Sequence, residues 1–270
     1  MPDFAPDLDA YCARIGYSGP RDASLATLRA LHLHHVAAVP FENLDVLLGR
    51  RINLDPAVVA EKIIGRRRGG YCFEQNALFR EVLRALGFTV TPLLARVRWQ
   101  VPAEVSTPLT HNVLRVEVDG RSWLADVGFG AVGSTAPLAL DTAEPQPTPH
   151  EMRRLIPSPG GLTHQVLYGD TWGDVYRFSL EPPAPVDFEL GNWFSCTHPR
   201  AHFINNLVVT RVRGLERLII FNREFILRRA DGTADRREIA SPAELLALLA
   251  EQYGLHFPAG THFNIPAAPW

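Results

Sequence analysis

The chain has 270 residues and a mass of 30.0 kDa, enough for one large domain or two modest ones. Hydrophobic residues at 46% against 21% charged exclude a disordered or low-complexity chain. With 27 Lys plus Arg against 29 Asp plus Glu, the net charge of −2 leaves no bulk field to gather a nucleic-acid backbone, so no nucleic-acid partner is expected.

As far as residue 87 the pattern is helical. Ser24 is a plausible N-cap for the apolar-periodic run that follows it, and Asp55 with Pro56 starts a helix near 55–64. A third helix follows Gly69 and Gly70, with Leu78, Val82 and Leu86 as its apolar stripe, Gly87 as its stop and Cys72 at or just inside its start. From Phe88 the period changes to that of strands, at 88–101, 112–118, 122–127 and 175–180. Asp119 and Gly120 read as a two-residue hairpin turn, and the proline-rich segment 136–161 reads as a long surface connection. The last third alternates strands at 207–213, 217–221 and 224–229 with a helix from Ser241, where Ser241, Pro242 and Glu244 form a capping-box start.

The first sixteen residues lack the basic flank and apolar stretch of an export signal. No apolar run nears the ~18–20 residues of a membrane span, so a cytoplasmic protein with no membrane partner is expected. Cys12, Cys72 and Cys196 are an odd, widely spaced set that encodes neither a disulfide framework nor a structural zinc site. The run His32-Leu33-His34-His35 reads as a helix face, and no metal is expected.

A lone cysteine acts as a nucleophile where its thiolate is favoured, and the positive end of a helix is one such place. Cys72 is that candidate: Gly69 and Gly70 before it permit close approach, and Arg66, Arg67 and Arg68 add positive potential. A nucleophilic thiol needs a base, and the base an orienting group. If Asp119-Gly120 is a two-residue turn, Val118 faces Arg121, Val113 faces Asp126, and His111 becomes the diagonal neighbour of Asp126 on one face. A slip of one residue would put them on opposite faces. Arg68, four residues before Cys72, is expected to pair internally with Glu42.

The segments Pro40-Phe41-Glu42-Asn43-Leu44, Arg68 to Asn76, Thr110-His111-Asn112-Val113 and Trp123 to Gly130 together resemble the arylamine N-acetyltransferase family. The resemblance extends from about residue 10 to the C-terminus, at a length typical of bacterial members. It implies an α+β fold with an N-terminal helical bundle at 1–87, a central β-barrel at 88–190 and a C-terminal α/β lid with an interdomain segment at 191–270. It also implies a cysteine-protease-like triad of Cys72, His111 and Asp126, and acetyl transfer through a Cys72 thioester from acetyl-CoA, a co-substrate and not a tightly bound cofactor, to an arylamine or arylhydrazine. Phe129 and Phe203 align with aromatic pocket positions, beside Tyr71 as a further substrate-binding position. Trp99, Gly128 and Gly130 fall on the cofactor side, and Trp193 to Pro199 resembles the start of the third domain, although Ala201 stands where many members have Ser. The same Cys, His, Asp order also serves thiol hydrolases and transglutaminase-like enzymes. Oligomeric state is not legible.

Overall fold

Helices account for most of the early chain because its apolar residues recur with helical spacing and its polar caps stand where helices start. A computed structural model describes residues 4–270. Helix α1 (Leu8–Ile15) ends on Gly16 at φ +67°, and α2 (Leu25–Ala38) is capped by Ser24, whose hydroxyl accepts from the Thr27 N–H. A short strand β1 (Phe41–Glu42) and a single turn α3 (Leu44–Leu47) lead to α4 (Pro56–Ala60), with Asp55 as cap and Pro56 at its first position. The expected helix over 55–64 is α-helical only as far as Ala60; Glu61–Gly65 widens into a π-turn. Helix α5 (Cys72–Ala85) starts on Cys72 itself, and Gly87 at φ +90° follows its end.

The strands that follow are β2 (Thr89–Val97), β3 (Leu109–Val118), β4 (Arg121–Ala125), β5 (Leu138–Ala139), β6 (Gln146–Pro147), β7 (Met152–Ser158), β8 (Gly161–Tyr168) and β9 (Thr171–Phe178). They form one sheet in the order β5-β4-β3-β2-β9-β8-β7-β6. Its two edges meet through a side chain. The Gln146 amide on β6 accepts from the Ala139 N–H at 2.7 Å and donates to the Ala139 carbonyl at 2.9 Å, which nearly closes the sheet into a barrel. The barrel interior holds Leu93, Val113, Leu124, Leu155, Val166, Tyr176 and Phe178.

Two readings of the middle third are corrected. Segment 136–161 is no surface connection: it contains β5, β6 and β7, and Pro159-Gly160 turns β7 into β8. The alternation was hidden because the inward position 153 is an arginine, fully buried beside the inward Leu155, and because a proline stands at 157. The strand expected over 88–101 ends at Val97.

Helix α6 (Pro185–Thr197), which runs through position 190, and the single turn α7 (His202–Asn205) lead into a second sheet of β10 (Val208–Arg213), β11 (Glu216–Phe221), β12 (Glu224–Arg229) and β13 (Ala234–Glu238). Strand β1 joins this sheet by pairing with β10, so residues 41 and 42 tie the early helices to the last third. Helix α8 (Pro242–Tyr253) packs Leu245, Leu248 and Leu249 on the sheet face formed by Leu218 and Ile220. The expected capping box is half present: Ser241 accepts from Glu244 N–H, but the Glu244 carboxylate reaches the Ala240 N–H. Among the described residues no helix is long and apolar enough to cross a membrane.

Candidate active site

The turn between β3 and β4 has both central residues at positive φ, Asp119 at +51° and Gly120 at +74°, as a two-residue hairpin turn requires. Val118 pairs with Arg121 and Leu114 with Ala125, the register on which His111 and Asp126 share a face. Their side chains meet: His111 Nε2 lies 2.8 Å from Asp126 Oδ2, and both groups are buried. A carboxylate only accepts, so Nε2 carries the proton and Nδ1 is free to act as a base.

Cys72 is the first residue of α5, 3% exposed, and its Sγ lies 3.6 Å from the carbonyl of Thr110. Sequence reasoning missed that carbonyl. On β2, Ala95 pairs with His111 but Arg96 pairs with Leu109, so Thr110 is the extra residue of a bulge, and a bulge turns a backbone group away from the ladder.

Asp126 is held from four directions. Its Oδ1 accepts from Asn76 Nδ2 at 2.9 Å and from the Gly128 N–H at 3.0 Å, Oδ2 takes His111, and its own N–H donates to His32 Nε2 at 3.2 Å. Asn76 also bonds the Asn112 carbonyl and the Val127 N–H. It stands one turn after Cys72 on α5, so an i, i+4 search from the nucleophile is the signal that finds it. His32 and His35 belong to the supporting structure: His35 joins Tyr11 Oη to Gln75, whose amide holds the Gly70 and Pro40 carbonyls ahead of Cys72.

Burial opposes charge on His111, yet the Asp126 carboxylate, its hydrogen bond and the neighbouring Cys72 sulfur outweigh that, and the imidazole is raised to about 10. Asp126 moves the other way. Burial would raise its pKa, but His111, Asn76 and the Gly128 N–H hold it well below the usual carboxylate range. The arrangement therefore favours an imidazolium beside a sulfur.

The glycines explain the close fit. A Cβ on Gly128 would stand 2.7 Å from Cys72 Cα, so the missing side chain at 128 serves the packing of the chain after β4 on α5. Gly130 has φ +88°. Phe129, between them, sets its ring 5.0 Å from that of His111. Phe203 lies 5.6 Å from the Tyr71 ring and 5.7 Å from that of Phe41. Tyr71 itself is fully buried and its hydroxyl donates to Asn192 on α6, so it backs the site and presents no exposed surface. Trp99 follows β2 and packs on Gly173 and Tyr168.

The expected ion pair behind the nucleophile's loop is present. Arg68 Nη2 lies 2.7 Å from Glu42 Oε1 and 3.3 Å from Asp45, while Glu42 Oε2 accepts from the Leu44 N–H. Glu42→Gln is expected to cost about 3–5 kcal/mol, because it leaves the half-buried guanidinium short of a counter-charge. Chemical denaturation checks this, and a loss below about 1 kcal/mol would show that Asp45 alone suffices.

A family model described as N-acetyltransferase matches residues 24–261. The arylamine N-acetyltransferase of Escherichia coli strain K12 is 40% identical over 260 residues, 96% of this chain and 92% of that one. That of Mycobacterium tuberculosis strain H37Rv is 38% identical over 257 residues, 94% and 90% of the two chains. The Mycobacterium marinum arylamine N-acetyltransferase in complex with CoA superposes with a TM-score of 0.89 at 37% identity, covering 92% of this chain and 93% of that one. With this likeness running through nearly the whole of both chains, the protein belongs to the arylamine N-acetyltransferases, a family of acyltransferases.

Proposed function

We propose that the protein moves an acetyl group from acetyl-CoA to the nitrogen of an arylamine or arylhydrazine through a thioester on Cys72, with Cys72, His111 and Asp126 as the triad. The observation that carries this reading is the buried 2.8 Å bond from His111 Nε2 to Asp126, which frees Nδ1 for the thiol at the start of α5. In the resting site His111 holds the proton taken from Sγ, and in the first half-reaction the thiolate adds to the acetyl carbonyl. The tetrahedral oxyanion forms at the N-terminal end of α5, where backbone N–H groups lack helical acceptors. Collapse expels the CoA thiolate, which leaves with the proton from His111. In the second half-reaction the amine nitrogen adds to the Cys72 thioester, loses a proton to His111 and leaves as the amide, and the thiol is restored.

Exchange of one thioester for another is nearly balanced, whereas amide formation is strongly downhill, so a weakly basic arylamine serves as acceptor. Phe129 and Phe203 form the aromatic walls for its ring, and Trp99, Gly128 and Gly130 belong to the donor side. Because acetyl resides on Cys72 while CoA departs, the two substrates never occupy the site together. Double-reciprocal plots at several acceptor concentrations are expected to be parallel. Intersecting plots would refute the thioester route, and rapid donor hydrolysis untouched by arylamines would favour a thiol hydrolase.

A further inference from the structure

Glu151, the residue before β7, gathers three guanidinium groups. Arg153 Nη2 lies 3.0 Å from its carboxylate, Arg217 binds it through Nε at 2.9 Å and Nη2 at 2.8 Å, and Arg228 Nη2 stands 3.6 Å away. The three side chains are 0%, 4% and 9% exposed. One carboxylate cannot satisfy three buried cations, and all three also donate to a single stretch of backbone, while Arg153 Nη1 turns to His164 Nε2 at 3.1 Å. Arg228 donates to the Ala131 carbonyl at 2.7 Å, Arg153 to those of Val132 and Gly133 at 2.9 Å, and Arg217 to that of Gly133 at 2.9 Å. Each carbonyl from 131 to 133 is thus held by a guanidinium, and the arginines come from β7, β11 and β12. The held stretch is a tight turn, with Gly133 N–H bonded to the Gly130 carbonyl at 2.9 Å, and it follows directly on Phe129.

The hydrogen bonds of Asp126 and His111 do not come from this turn. Their partners are Asn76, His32 and the Gly128 N–H. Arg153 also reaches His111, through His164 and the Tyr176 ring, whereas Arg228 holds only the Ala131 carbonyl of the turn, so a change at Arg228 reaches Phe129 and Gly130 while leaving the thiol and its base in place.

We infer that Glu151, Arg153, Arg217 and Arg228 are positioning residues for substrate binding, which hold the Gly130–Gly133 turn so that the Phe129 ring stands against His111 as the acceptor's wall. This rests on the reading of Phe129 given above. Its sign is specific: weakening the clamp raises the acceptor KM and spares kcat and the reactivity of the thiol.

The test compares Arg228→Met, Arg228→Lys, Glu151→Gln and Phe129→Leu in the full chain, with a substituted aniline as acceptor and iodoacetamide as the probe of Cys72. Arg228→Met is expected to raise the acceptor KM roughly tenfold, as misplacement of a binding wall does, with Arg228→Lys restoring most of it. The kcat and the pH profile of alkylation are expected to stay within about twofold of the parent. Glu151→Gln is expected to act in the same direction more strongly. A KM that rises in Phe129→Leu but in neither clamp variant, even with lowered thermal stability, would overturn the inference. So would a loss of alkylation rate at unchanged KM. An acceptor KM unmoved by Phe129→Leu would instead remove the wall reading on which the clamp's role depends.

Discussion

Asp126→Asn is expected to lower turnover by about 10⁴-fold while leaving Cys72 present and buried. The size of the effect follows from how fully the carboxylate is used. Both of its oxygens accept, from His111 Nε2, Asn76 Nδ2 and the Gly128 N–H. An amide in its place must turn two N–H donors toward one of these donors. Oriented toward His111, it demands the tautomer with the proton on Nδ1, and the base is lost. Oriented toward Asn76, it opposes donor to donor at the centre of the site. Loss of the charge also removes the main interaction that raises His111 to about 10, leaving only the Cys72 sulfur against burial, which favours the neutral imidazole. The parent's alkylation by iodoacetamide is therefore expected to stay fast well below pH 7, where the imidazolium is present. In the variant, with the imidazole neutral, it should be slower than the parent's over that range. A variant with the parent's pH profile would show that Asp126 does not act through His111.

Cys72→Ser is expected to abolish turnover, with a loss of at least about 10⁴-fold, while the fold is kept. A hydroxyl is a far weaker acid than a thiol, so His111 cannot hold it as an anion, and the thioester energy that drives the second half-reaction is gone. The exchange is nearly isosteric, and the Thr110 carbonyl 3.6 Å from Sγ gives the hydroxyl an acceptor, so thermal stability should hardly move. Iodoacetamide should then label only Cys12 and Cys196, slowly for the buried Cys12, whose pKa burial pushes up. Residual acetylation of arylamines by this variant would place the nucleophile elsewhere.

The site was legible where chemistry and local geometry coincide. Gly69 and Gly70 ahead of an amphipathic run located Cys72 at a helix start, and a two-residue turn at 119 and 120 fixed which strand residues share a face. The fold was legible where burial follows a simple period, as in α5, α8 and β10 to β12, whereas α1, α6 and β13 were not expected. It was not legible where burial is made possible by distant partners. Arg153 reads as a surface residue, and only Glu151, the carbonyls of the 131–133 turn and His164 make its full burial tolerable. The bulge at Thr110 leaves no mark in composition, because it depends on a register shift against β2. The family resemblance implied Tyr71 as a substrate-binding aromatic. Its burial is set by α6, more than a hundred residues later, whose Asn192 takes its hydroxyl.

The claim on which the rest depends is that acetyl rests on Cys72 between the two half-reactions. Brief incubation with acetyl-CoA without acceptor, followed by intact-protein and peptide mass spectrometry, tests it directly. The expected result is one acetyl group per chain, carried by the peptide that contains Cys72, absent from Cys72→Ser and discharged at once by an arylamine. An unmodified protein that still acetylates arylamines, or an acetyl group found on Cys12 or Cys196, would contradict it.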